Sequence, residues 1–281
     1  MEDADTYMTL IQALFSGIIQ GLTEFLPVSS SGHLVLLQHL FGLKEQALFF
    51  DISLHMGTLA AVVFFFRKEV GSIITAVLRG LALLVRGKTA MAQLYADMDV
   101  RMAVLIVAGC VPTAIIGLVF NNLAERIFSS LFLVGIMLIL TGGFLWSTRW
   151  IKKTGDGIER FSIKNAVWIG IIQGLAILPG ISRSGSTITA ALFLGINRET
   201  AARYSFLLSI PAIVGAEILS LMNLPPEMTV SLKATLTGTA TACIVGYVSL
   251  KMLVYIVGRG RLYIFSPYCW LVGAIILIAG C

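Results

Sequence analysis

Charged residues are scarce in this sequence. Only 12% of its 281 residues are Asp, Glu, Lys or Arg, whereas about 25% is usual for a soluble domain. Hydrophobic residues make up 57% of the chain, so it lacks the polar surface that a soluble, disordered or collagen-like protein would need. The composition therefore predicts an all-α polytopic membrane protein.

Cysteine patterns and a basic N-terminus are missing as well. No CxxC spacing and no neighbouring His pair accompanies the four cysteines, so we expect neither a zinc site nor disulfides from Cys110, Cys243, Cys269 and Cys281. Residues 1–5 are acidic, whereas a signal peptide begins with basic residues, so we expect the first apolar stretch to be retained. The net charge of +5 is spread over short loops, which predicts no nucleic-acid partner.

Long apolar stretches make up most of the sequence. A transmembrane helix needs about 20 apolar residues. Six stretches meet this length: 48–66, 101–120, 130–150, 203–222, 230–256 and 262–280. A further apolar stretch, 71–87, contains Arg79 and Arg86, and we predict a helix at the membrane interface there.

Two other apolar stretches are interrupted by loops rich in Ser, Gly and Pro. We predict that they form re-entrant helix–loop–helix hairpins over 8–43 and 163–196. Gly17-Ile-Ile-Gln-Gly-Leu22 reappears as Gly170-Ile-Ile-Gln-Gly-Leu175, an offset of 153 residues. At the same offset, Ser and Gly residues of the two loops coincide. Broken hydrophobic segments at matching points of two halves indicate an internal repeat with a site near the membrane midplane.

The repeat divides one membrane domain over 1–281 into three parts. The first repeat is expected over 8–122 and the second over 162–281, joined by a span and a cytoplasmic loop over 123–161. Three spans separate the two hairpins, and this odd number makes them enter from opposite faces. The topology is therefore predicted to be inverted.

Basic residues predict the orientation. Sixteen of the twenty Lys and Arg residues fall in loops on one face, three on the other, and Arg183 lies in the second hairpin loop. The positive-inside rule assigns the sixteen to the cytoplasm. In a bacterial inner membrane both termini and the mouth of the first hairpin would then face the periplasm.

Two ionisable residues, Glu24 and Arg183, lie within the predicted membrane core. An ionised group there costs roughly 2.5–3.5 kcal/mol on insertion scales, which favours a function over a bare salt bridge. Gln20 and Glu24 are four residues apart and share a helix face. Their oxygens are candidate ligands for a divalent cation, Mg²⁺ or Ca²⁺.

Each interrupting loop is expected to open a half-helix, the first at about His33 and the second at about Ser186. Helix N-termini favour anions, and the Arg183 guanidinium matches phosphate oxygens. The two loops therefore predict a site for a di-anionic head such as a diphosphate. The candidate substrate-binding residues are Ser29, Ser31, Ser182, Ser184, Gly185 and Ser186.

His33 follows Ser30 by three residues, and beside an acid and an Arg it is a candidate general acid or base. His55 lies inside a span and receives no assignment from the sequence. Glu217 lies toward the outer end of its predicted span, where either snorkelling or a supporting role is open.

These residues resemble a known family. The segment Gln20-Gly-Leu-Thr-Glu-Phe-Leu-Pro-Val-Ser-Ser-Ser-Gly-His33 resembles its first signature, (E/Q)xxxE followed by PVSS(S/T)GH. Pro179-Gly-Ile-Ser-Arg-Ser-Gly185 resembles its second, PGxSRSG. The family is the bacterial undecaprenyl-diphosphate phosphatases associated with bacitracin resistance, and the resemblance covers essentially the whole chain.

The resemblance implies hydrolysis of undecaprenyl diphosphate to the monophosphate, which recycles the lipid carrier for peptidoglycan and other cell-wall polymers. It also implies a divalent cation and a site open to the periplasm. By the same resemblance Gln20 and Glu24 match the acidic/amide pair, Ser30 the nucleophile, His33 the essential His and Arg183 the phosphate-binding Arg. Position 20 is Gln where Glu is also common, and whether Ser30 or His33 attacks phosphorus stays open.

A transporter or flippase for a polyprenyl phosphate is the alternative, because inverted repeats with broken helices are a transporter architecture. The two repeats are not equivalent, however. Glu24, Ser30 and His33 correspond to Ile177, Arg183 and Ser186. Acid, hydroxyl and imidazole thus lie on one hairpin, which favours an enzyme. The sequence leaves a homo-oligomer open.

Overall fold

The computed structural model describes residues 9–41, 47–87, 91–121, 130–151, 155, 157–222 and 231–279. Over these residues the protein is all-helical, without a strand. Its twelve helices there are α1 (Leu10–Phe25), α2 (Ser30–Phe41), α3 (Ala47–Phe65), α4 (Arg67–Val85), α5 (Met91–Tyr95), α6 (Met98–Asn121), α7 (Leu131–Ser147), α8 (Ile163–Leu175), α9 (Arg183–Phe193), α10 (Arg198–Met222), α11 (Leu232–Gly258) and α12 (Ser266–Ile278). Short 3₁₀ turns occupy Thr148–Trp150, Ile158–Arg160 and Leu262–Phe265.

Five helices in the described part of the chain are long and apolar enough to cross a membrane: α3, α6, α7, α10 and α11. They coincide with five of the six predicted spans, and the chain is a multi-pass membrane protein. The sixth apolar stretch is described over Leu262–Ile278 and is shorter there than these five. It opens with a 3₁₀ turn, and α12 begins only at Ser266, with Pro267 in its first turn.

The helix predicted over 71–87 is present as α4, but it begins at Arg67. The Arg67 guanidinium lies over the Phe64 ring and donates to the Phe64 carbonyl oxygen at 3.1 Å. Both contacts link the start of α4 to the end of α3. Gly80 is the sole buried residue of α4. The location of this exposed helix at a membrane interface stays a prediction.

Both interrupted segments are broken helices, α1–α2 and α8–α9. Each second half-helix begins three residues earlier than predicted, at Ser30 rather than about His33 and at Arg183 rather than about Ser186. The reason is the serine before each helix. Ser182 caps α9, accepting from the Gly185 amide at 3.1 Å, and Ser29 accepts in the same way from the Gly32 amide at 3.3 Å.

The broken helices are held by close backbone approaches to long helices of the other half. α1 packs against α11, and α8 packs against α6. A Cβ on Gly17 would lie 2.6 Å from the Gly238 carbonyl oxygen, and a Cβ on Gly170 would overlap the Gly109 carbonyl. Glycine is therefore required at both crossings, since small residues let helix backbones approach closely. α7 and α12 pack on each other beside the hairpins.

Candidate active site

The two hairpin loops meet inside the bundle, as predicted. The Ser29 hydroxyl oxygen accepts from the Gly180 amide of the second loop at 3.0 Å. In return the Ser184 hydroxyl donates to the Phe25 carbonyl at 2.9 Å. Irregular backbone at membrane depth needs such protein partners, and here each loop supplies them to the other.

Ser29 has φ +70°, and it is the only non-glycine residue with positive φ in the described ranges. A left-handed residue turns the chain abruptly from α1 into α2, a conformation that costs about 1–3 kcal/mol and needs support from its surroundings. The amides of Gly32 and Gly180, which both donate to the Ser29 hydroxyl oxygen, are that support. The strained turn places the next residue, Ser30, at the start of α2 and beside Glu24.

Several hydroxyls predicted to bind substrate hold the loops together. Ser182 Oγ lies 3.3 Å from Ser184 Oγ, and Ser29 Oγ lies 3.4 Å from Ser31 Oγ, so the two loops share one pattern. Ser29, Ser182 and Ser184 are all buried. Their hydroxyls contact the loops in this structure, and their part in substrate binding stays a prediction.

The remaining candidates of the second loop differ from these serines. A Cβ on Gly185 would lie 2.9 Å from the Pro27 side chain, so glycine here permits the close approach of the loops. Ser186 Oγ is buried without a hydrogen-bond partner. Direct contact of Ser186 with substrate stays a prediction, as it does for the half-buried Ser31.

Glu24 is the centre of the polar cluster. Its Oε2 accepts from the Ser30 hydroxyl at 2.7 Å and from the Gln20 amide nitrogen at 3.1 Å. Its Oε1 contacts Arg183 Nη2 at 2.5 Å, which joins the two hairpins by an ion pair. Glu24 is only 8% exposed. An amide, a hydroxyl and a guanidinium thus contact one carboxylate.

The Arg183 guanidinium has hydrogen-bond donors that no group of the protein accepts. Its Nη1 is buried and has no hydrogen-bond partner, while Nη2 is engaged by Glu24. A guanidinium presents parallel N–H groups that suit a phosphate. The arginine can therefore hold a phosphoryl oxygen through Nη1 beside the Ser30 hydroxyl.

His33 has a partner on each ring nitrogen. Nδ1 lies 2.8 Å from the Ser29 carbonyl oxygen, and because a carbonyl can only accept, Nδ1 carries the proton. Nε2 lies 2.8 Å from the Tyr268 hydroxyl, and the two rings stack at 5.7 Å. Tyr268 is a site residue that sequence reasoning missed, since it lies 235 positions from His33 and no local pattern marks it.

His55 and Glu217 were not assigned to the site, yet the structure brings both to it. His55 Nδ1 lies 3.3 Å from Glu217 Oε1, and His55 Nε2 lies 3.9 Å from Glu24 Oε2. Glu217 is buried, so a snorkelling role is wrong. The signal that could have found both residues is an ionisable side chain inside an apolar span.

Comparison with known proteins decides the family. The sequence model of the family described as "Bacitracin resistance protein BacA" matches residues 13–275, nearly the whole chain. The chain belongs to this family. Relatives named undecaprenyl-diphosphatase include proteins from Desulfosudis oleivorans (54% identical, 97% of this chain and 99% of the relative), Carboxydothermus hydrogenoformans (44%, 96% and 97%) and Korarchaeum cryptofilum (42%, 96% and 99%).

The donor set of this BacA-family site fits a hard cation. Gln20 Oε1 is a buried acceptor without a hydrogen-bond partner, and the amide nitrogen of the same side chain donates to the neighbouring Glu24 carboxylate. Mg²⁺ and Ca²⁺ take such oxygen ligands. Nowhere in the described residues do three His, Cys, Asp or Glu side chains form a metal cluster. A cation here would therefore need substrate oxygens to complete its ligands.

Proposed function

We propose that this BacA-family protein hydrolyses undecaprenyl diphosphate to undecaprenyl phosphate and inorganic phosphate. The observation that carries the proposal is the Ser30 hydroxyl donating to Glu24 Oε2 at 2.7 Å while Arg183 of the other hairpin holds Oε1. The family match and the undecaprenyl-diphosphatase name of the relatives support the substrate. The product is the lipid carrier for cell-wall polymers, and its recycling accounts for bacitracin resistance.

In the first step Ser30 Oγ attacks the terminal phosphorus. Glu24 takes the hydroxyl proton through the hydrogen bond that already joins them. The bond between that phosphorus and the bridging oxygen breaks, and undecaprenyl phosphate leaves with the electron pair. The phosphoryl group is then covalently attached to Ser30. We favour Ser30 over His33 as nucleophile because both ring nitrogens of His33 are already engaged.

Arg183 and the two helix N-termini neutralise the phosphoryl oxygens during this transfer. The unpartnered Nη1 of Arg183 supplies one donor, and the dipoles of α2 and α9 favour negative charge at their first turns. Phosphoryl transfer depends mainly on such positioning and charge stabilisation.

In the second step a water molecule attacks the phosphorus of phosphoserine. A base takes one proton from the water, Ser30 Oγ leaves and is reprotonated, and inorganic phosphate is released. Glu24 holds the proton acquired in the first step, so it can return that proton to Ser30. The His33–Tyr268 pair, with Nε2 as the acceptor, is our candidate for the base that activates water.

A divalent cation belongs to this proposal, held by Gln20 Oε1 and Glu24. Bound there, it would act as a Lewis acid toward the phosphoryl oxygens. The buried, unpartnered Gln20 oxygen supports its presence.

The site is proposed to open toward the periplasm of a bacterial inner membrane, with both termini on that side. The distribution of Lys and Arg supports this orientation. We further propose that the halves 8–122 and 162–281 are inverted repeats. Support comes from α1 packing on α11 as α8 packs on α6, and from the matching serine caps of α2 and α9.

The experiment is phosphate release by the purified protein from a prenyl diphosphate, with and without EDTA. We expect steady release that EDTA abolishes and that Mg²⁺ or Ca²⁺ restores. The Ser30→Ala variant is the control, since it keeps the fold and lacks the nucleophile. Release by wild type no faster than by Ser30→Ala would contradict the proposal.

A further inference from the structure

A pair of ionisable side chains, one half-buried and one buried, lies next to the catalytic cluster and has no part in the mechanism above. His55 on α3 and Glu217 on α10 are joined by the 3.3 Å contact between Nδ1 and Oε1. The exposed fractions of their side chains are 25% and 11%. The other ring nitrogen of His55 is 3.9 Å from Glu24 Oε2.

Stability alone does not account for this pair. A carboxylate within a membrane-spanning helix is costly, and a buried ion pair is often no more stabilising than apolar side chains of the same volume. Glu217 is the only charged residue of its span over 204–222. The pair is therefore better explained by a role at Glu24, the residue that Nε2 of His55 faces.

The backbone on either side of His55 is fixed. Two residues before it, the Ser53 carbonyl accepts from the Thr239 hydroxyl of α11 at 3.1 Å. Two residues after it, Gly57 packs so closely on the Thr239 carbonyl that a Cβ would not fit. With α3 held at both points and Glu217 on Nδ1, the imidazole has little freedom to turn away from Glu24.

Glu24 needs such a restraint at one stage of the reaction. In the structure Arg183 holds its Oε1, while Oε2 receives the Ser30 hydroxyl. When Oε2 takes the Ser30 proton and Nη1 of Arg183 takes a phosphoryl oxygen, Glu24 loses its negative charge, its ion pair through Oε1 weakens and the carboxyl group gains freedom to rotate. The His55 ring lies on the Oε2 side and limits this rotation.

We propose that His55 and Glu217 form a positioning pair for Glu24, one that keeps Oε2 directed at the Ser30 hydroxyl during phosphoryl transfer. This inference rests on the proposed function. Because the pair acts through Glu24 and not on the phosphate, its loss should lower kcat and leave KM nearly unchanged.

The test compares His55→Leu, Glu217→Gln and the combined variant in phosphate release from a prenyl diphosphate. The combined variant removes both partners, so we expect it to fold even if His55→Leu alone leaves a carboxylate buried without its partner. We expect each variant to lose about 10- to 100-fold in kcat, as is usual when a supporting group is removed, with KM within about two-fold. Since the two residues act as one unit, the combined loss should equal the larger single loss and not the product.

Glu199→Gln is the matched control, because it makes the same substitution at an exposed position of the opposite end of α10. It should leave kcat and KM unchanged. A kcat within about two-fold of wild type in the combined variant would overturn the inference, and so would losses that multiply or that appear only in KM. If wild type itself releases no phosphate, the proposed function fails instead, so the two failures are distinguishable.

Discussion

Replacing Arg183 by Lys separates two roles of this residue. In the structure Nη2 contacts Glu24 Oε1, while the buried Nη1 has no partner. Lys has one ammonium group, which can keep the ion pair with Glu24 but cannot also hold a phosphoryl oxygen in the parallel geometry of a guanidinium. If the ion pair were the whole role, Lys would serve almost as well as Arg.

The expected magnitude follows from the lost donor. Removing one preorganised transition-state hydrogen bond costs about 2.7–4 kcal/mol, or roughly 10²–10³-fold in rate. We therefore expect Arg183→Lys to fold and extract like wild type but to lose about this factor in kcat/KM. The assay is steady-state phosphate release from a prenyl diphosphate in detergent.

Arg79→Lys is the control, because it makes the same change at an exposed position of α4 far from the site in sequence. It should retain full activity. If Arg183→Lys keeps more than about a third of wild-type kcat/KM, the residue is only the partner of Glu24 and the proposed phosphate contact is wrong.

Three further predictions concern the cation, the second step and the orientation. Glu24→Gln removes a cation-ligand charge, so residual hydrolysis should need a higher Mg²⁺ or Ca²⁺ concentration; an unchanged cation titration would exclude Glu24 as a ligand. His33→Ala removes the proposed base, so rapid-quench kinetics should show a burst of about one undecaprenyl phosphate per protein, then turnover lowered by about 10²-fold or more; no burst and normal turnover would remove His33 from the second step. In a background without native cysteines, Cys at Lys233 should react with an impermeant maleimide in whole cells, and Cys at Arg259, ~39 Å along α11, only after permeabilisation; the reverse would invert the proposed topology.

Hydrophobic length and helix-breaking loops were sufficient to predict most of the fold. Five long apolar stretches became α3, α6, α7, α10 and α11, because a span is a local property of about 20 residues. The starts of α2 and α9 were misplaced by three residues. Ser and Gly spacing marks a break, but which serine caps the helix depends on hydroxyl geometry, which only the folded loops of Ser29 and Ser182 define.

The residues of the candidate site likewise include some that the sequence could predict and some that it could not. Glu24, Ser30 and Arg183 could be found because ionisable residues in membrane segments are rare and two motifs surround them. Tyr268 could not, and His55 and Glu217 could be noticed as ionisable residues in spans but not recognised as a pair, since these contacts join helices far apart in the chain. The sequence also could not distinguish hydroxyls that hold the loops, such as Ser184, from hydroxyls that face the site.

The most direct test of the central claim is to trap the covalent intermediate. The purified protein is mixed with a prenyl diphosphate that carries radioactive phosphorus in its terminal phosphate, quenched in acid within the first turnover, and digested for peptide mapping. We expect acid-stable label on the peptide that contains Ser30, and none in the Ser30→Ala variant. Acid-labile label on His33 in a parallel sample quenched in alkali, or phosphate release by wild type at full rate with no protein-bound label after either quench, would contradict attack by the Ser30 hydroxyl.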